Sequence, residues 1–137
     1  MSTIIRALKI LVLAAVSSLL FSYTFAEEVT KIEIVYLPHG PVFKVVREIE
    51  AIVADYPGSI VSKWSFDDKA GIELAKSYGF TGHLPILIII NESYRHEIAG
   101  NEVEFYNFPS NNSFSPLFKG AWSYEDLNLL LNQLANR

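Results

Sequence analysis

Apolar and polar residues alternate from Lys31 to Tyr36, which puts Ile32, Ile34 and Tyr36 on one side of an extended chain. A period of two marks a strand with a buried face. From Val42 the period lengthens: Val42, Val45, Val46, Ile49, Ile52 and Val53 share one helical stripe, and Lys44, Arg47, Glu48, Glu50 and Asp55 take the other side. Pro41 suits the first helical turn, where its missing N–H costs nothing, and Pro57-Gly58 ends the run. Alternation returns over Ser59 to Phe66, so the spacing predicts a parallel β-α-β unit. Asp67-Asp68 heads a second helix over about Lys69 to Tyr78, with Ile72, Leu74, Ala75 and Tyr78 apolar and Gly79 as its stop. Ile86 to Ile90 is unbroken apolar sequence, the pattern of a central strand buried on both faces.

Asn91-Glu92-Ser93 reads as a turn into an antiparallel return strand, Tyr94 to Ile98. Residues 100–118, rich in Asn, Ser, Pro and aromatics, read as an insertion in which Val103 and Phe105 offer a short edge strand. Loops of that length tend to be functional or disordered. Ser123 and Asp126 form a capping-box start for a last helix with Leu127, Leu130, Leu131 and Leu134 as its buried stripe. The predicted order is β-α-β-α-β-β-α, one domain over residues 27–137, a central mixed sheet with helices on both faces.

The N-terminus follows a different pattern. Arg6 and Lys9 precede an apolar run from Ile10 to Phe21, and Thr24-Phe25-Ala26 supplies small residues before Glu27. This is the form of a cleaved secretory signal over residues 1–26. The run falls short of the roughly 20 apolar residues that span a bilayer, which argues against the alternative of a retained anchor. An exported product, periplasmic or secreted, is expected, with no stable membrane insertion. Without residues 1–26, nine Lys or Arg face fifteen Asp or Glu, a formal charge of −6. That balance offers no footprint for nucleic acid. The chain has no cysteine, so packing alone must hold it together.

The stretch from Leu37 to Lys44 joins the first strand to the first helix, and its centre reads His39-Gly40-Pro41-Val42. Strand, short turn, Gly-Pro, helix resembles the thioredoxin superfamily, whose active loop is Cys-Gly-Pro-Cys. Here His39 and Val42 stand where that loop has its cysteines. Tyr78-Gly79-Phe80-Thr81-Gly82-His83-Leu84-Pro85 resembles the family's connection into its third core strand, and Lys119-Gly120-Ala121 resembles its step into the last helix. The resemblance covers residues 29–98 and 119–136. It implies the thioredoxin fold, a cis peptide bond at Pro85 beside the active loop, and a surface that receives extended peptides. Thiol–disulfide exchange is excluded, because the attacking species is a thiolate. A label of thiol–disulfide oxidoreductase would describe the family and not these residues.

Pro38, His39, Leu84, Pro85 and Trp64 are the residues the resemblance assigns to a peptide groove, and a protein or peptide is the expected partner. The alternative is a thiol-independent enzyme, or a metal or small-ligand site, built on His39 and His83. Two histidines without a carboxylate or thiol make a poor ligand set, and no cofactor is expected. Trp64 and Trp122 can equally be core residues, and His96 is expected on a solvent-facing strand without a role. No serine has a His and an acid in a recognisable arrangement, and no phosphate loop appears. Asn91-Glu92-Ser93 and Asn111-Asn112-Ser113 both fit the glycosylation triplet, though turn chemistry explains both asparagines.

Overall fold

The computed structural model describes residues 28–111 and 115–137, so the signal segment expected over residues 1–26 and most of the second glycosylation triplet lie outside the described residues. Strands β1 (Thr30–Tyr36), β2 (Ser59–Ser65) and β3 (Ile86–Ile90) form a mixed sheet in the order β2-β1-β3. Helix α1 (Gly40–Val53) carries the chain from β1 to β2, which pair in parallel from Thr30 opposite Ser59 to Tyr36 opposite Ser65. Helix α2 (Lys69–Ser77) leads to β3, which runs antiparallel to β1. Helix α3 (Tyr124–Ala135) ends the chain. Among the described residues the architecture is α/β, a mixed sheet with three α-helices.

Burial follows strand parity. Ile32 and Ile34 of β1 join Ile86, Ile88 and Ile90 of β3 beneath Val42, Val45, Val46 and Ile49 of α1 and Leu127, Leu130 and Leu131 of α3. On the reverse face Val35, Leu87 and Ile89 meet Phe66, Ala75 and Leu74. β3 is buried at every residue, as an uninterrupted apolar run requires when both faces are covered. Gly71 explains how α2 comes so near the sheet: a Cβ there would collide with the Ser65 carbonyl. The Ser123 hydroxyl accepts the Asp126 N–H at 3.1 Å while the Asp126 carboxylate accepts the Ser123 N–H at 2.7 Å, the reciprocal cap read from the sequence. Asp68 occupies the N-cap position of α2 but makes no side-chain cap; the local bond is Asp67 N–H to the Ser65 hydroxyl, 3.0 Å.

After β3 the structure departs from the expected order. Asn91 and Glu92, with φ of 46° and 65°, make a two-residue turn, and Ala99 and Gly100, at 50° and 81°, make another. Strand β4 (Arg95–Ile98) therefore pairs with β5 (Asn101–Glu104) and not with β3. The place beside β3 goes to Phe105-Tyr106-Asn107: Ile88 N–H donates to Phe105 O at 2.9 Å and Asn107 N–H to Ile86 O at 2.9 Å. Chemistry explains the exchange. Arg95 and Glu97 are charged and stay exposed, whereas Phe105, fully buried, packs against Trp122 with ring centroids 5.7 Å apart. Val103, Phe105 and Phe108 are thus part of the core, and Tyr106 bridges to Leu87 of β3, so residues 100–108 are not an insertion laid over the domain. Among the described residues that follow, Leu117 and Phe118 are large exposed apolar side chains, in a 3-10 turn over Pro116–Phe118.

Candidate functional site

β1 delivers Leu37, Pro38 and His39 to the sheet edge from which α1 departs. Leu37 N–H donates to Pro85 O at 3.0 Å, which ties this loop to the segment entering β3. His39 N–H then donates back to Leu37 O at 2.8 Å, an i to i−2 bond that closes a γ-turn around Pro38. His39 is the N-cap of α1, extended at φ −117° and ψ 155°, and its carbonyl accepts the N–H groups of Val42 (3.0 Å) and Phe43 (3.1 Å). Its imidazole makes no capping bond and is exposed, as are Gly40 and Pro41. Val42 instead turns into the core with 3% of its surface exposed. The loop thus offers the His39 side chain to solvent, while Val42 is a packed aliphatic.

Across from it lies the segment from Phe80 to Pro85. The described residues contain no cis peptide bond, so Leu84–Pro85 is trans, and the cis bond implied by the resemblance is corrected. Trans is the ordinary preference of an X-Pro bond; here Pro85 is buried with its carbonyl held by Leu37. Leu84 is half-buried, and neither its N–H nor its C=O has a partner among the described residues. His83 is exposed and stands edge-on to Phe66, centroids 6.5 Å apart. Trp64 packs with Leu37 and Leu84 against the cluster beneath α2, and its indole N–H is buried without a partner among the described residues. Leu84 and Trp64 therefore share one cluster with Leu37, while Pro38 and His39 follow Leu37 in the chain and Pro85 accepts its N–H. Phe43, not anticipated from the sequence, lies three residues after Gly40 on α1: it is 41% exposed and stands edge-on to Tyr36 at 6.0 Å. A large aromatic off the apolar stripe of the first helix was the available signal.

Compared with family profiles, curated proteins and solved structures, the chain matches none of them. Among the described residues no group of three or more His, Cys, Asp or Glu side chains is arranged to hold a metal, and His39 and His83 form no hydrogen bond, ion pair or ring contact with each other or with an acid. No helix among the described residues is long and apolar enough to cross a membrane.

His96 corrects another expectation. It is half-buried, edge-on to Phe105 at 6.1 Å, and its Nε2 lies 3.0 Å from the Ser93 carbonyl. Burial pushes its pKa below the ordinary value of 6.5, with the hydrogen bond to Ser93 acting the other way. Asn91 serves the fold: its Oδ1 accepts Lys31 N–H at 2.8 Å. Two open clefts of about 540 and 640 Å³ lie at the other end of β1, around Tyr56 and Arg137, remote from the loop. Tyr78, Phe80, Tyr94 and Tyr106 form a chain of ring contacts at 5.0 to 6.4 Å beside β3, with the Arg95 guanidinium 5.0 Å over Tyr94. Burial raises the pKa of Tyr78 and Tyr106, so both hydroxyls stay neutral through the physiological range.

Proposed function

We propose that this chain is an exported, thioredoxin-like protein without redox cysteines that binds an extended segment of another protein at the junction of the His39 loop and Leu84–Pro85. One observation carries the reading: beside the loop, tied to it through the Leu37 to Pro85 bond, Leu84 leaves both its backbone groups unpaired among the described residues. An extended peptide laid along Leu84 gains two main-chain hydrogen bonds, as in strand addition. Exposed Pro41, His39 and Phe43 on one side and half-buried Leu84 on the other supply apolar contact for its side chains. Strand order β2-β1-β3, with β2 parallel and β3 antiparallel to β1, supports the thioredoxin-like reading. Export is inferred from the form of residues 1–26.

The test is selection of peptides from a random displayed library on the folded protein, followed by backbone-amide mapping of the selected sequences. The reading expects the amides of Leu37, His39 and Leu84 to shift, and His39→Ala with Phe43→Ala to weaken binding about tenfold or more. Peptides that map to the Tyr56 and Arg137 end, or a library that yields none, would overturn it.

A further inference from the structure

Beside His83 the surface opens into a cavity of about 130 Å³ that nothing above has used. Its walls are apolar and come from three places in the chain: Phe66 after β2, Ile72 on α2, and Phe80 in the connection to β3. Its rim is of opposite character. Lys76, in the last turn of α2, supplies an ammonium, and the exposed His83 an imidazole. Lys76 forms no ion pair among the described residues; the acid nearest it in sequence, Glu73, lies 3.7 Å from Lys69 instead. Thr81, Gly82 and His83 complete the rim, and none of their three backbone N–H groups has a partner among the described residues.

We infer that this cavity binds a carboxylate carrying a short branched apolar tail, the tail against Phe66, Ile72 and Phe80 and the carboxylate between Lys76 and the N–H groups of residues 81–83. Size fits the tail, since an apolar cavity of roughly 150 Å³ takes a benzene ring. Charge fits the head. Several N–H donors in sequence beside an ammonium complement an anion, and such charge-assisted bonds are about twice as strong as neutral ones. Two sources present this chemistry, a free short-chain acid and the C-terminal Val or Leu of a polypeptide. The site is separate from the backbone of Leu84, and it stands even if the loop binds no peptide.

The experiment is a ¹⁵N amide titration of the folded protein with isovalerate, with isovaleramide as its uncharged counterpart, and with a pentapeptide ending in leucine as free acid or amide. Saturable shifts of the Thr81, Gly82 and His83 amides are expected with an acid form, absent with its amide, and weakened about tenfold in Lys76→Met. Lys76 is exposed and Met is as good a helix former, so the variant keeps the fold. Isovalerate binding identifies the free-acid source, and binding of the free-acid peptide alone identifies a polypeptide terminus. No saturable shift with either acid, equal binding of the amides, or an unchanged Lys76→Met would each overturn the assignment.

Discussion

Two residues carry more of the structure than their chemistry suggests. Gly71 lies where α2 rests on β2, and any side chain there meets the Ser65 carbonyl. Alanine normally favours a helix, yet Gly71→Ala is expected to cost about 2 kcal/mol, the range of overpacking, read by urea denaturation. His96 gives the protein a pH response. Its pKa is lowered in the folded state, so the unfolded chain binds the proton more readily; its contribution to stability is present above the ordinary value of 6.5 and is lost as pH falls below it. Comparing urea midpoints at pH 7.5 and 5.5, the wild type is expected to lose more stability on acidification than His96→Gln. Equal losses would mean that His96 titrates freely. Neither residue was legible: a glycine in a helix gives no sign of what lies above it, and His96 alternates with charged neighbours that do face water.

At the scale of elements, periodicity was sufficient wherever one element met one face. The strand from Lys31 to Tyr36, the stripe from Val42 to Val53, the run from Ile86 to Ile90 and the Ser123 cap all stand where the pattern puts them. Ser123→Ala is expected to cost about 1 kcal/mol for that cap. Residues 93–108 misled because the tight turns at Asn91-Glu92 and Ala99-Gly100 allow two partners for each strand. Which one wins depends on long-range contact of Phe105 with Trp122, whose Nε1–H donates to Asn107 O at 3.0 Å. Phe105→Ala should therefore cost about 3–5 kcal/mol, whereas Leu117→Ala, 86% exposed on the neighbouring turn, should lie within about 0.5 kcal/mol of wild type. The outer edge of β2 has no strand beside it among the described residues; it is polar at Ser59, Ser62 and Ser65, and Lys63 is held to Glu50 at 2.6 Å. Polar and charged edges of this kind resist pairing with other chains.

For the molecule as a whole, the site was partly visible in advance. Strand, Gly-Pro and helix fixed where His39 would stand, and Pro85 could be brought to it by topology, but the trans bond at Pro85 and the part played by Phe43 depend on packing that no local pattern encodes. The account turns on an asymmetry between two neighbouring amides. Leu37 N–H is bonded to Pro85, while Leu84 N–H has no partner among the described residues and is, in the proposed function, the group offered to a peptide. Native-state hydrogen exchange, resolved at these two amides with and without a selected peptide, tests this most directly. Leu37 is expected to be protected throughout, and Leu84 to exchange freely alone and become protected when the peptide is bound. Protection of Leu84 in the free protein, or free exchange of Leu84 in the complex, would contradict it.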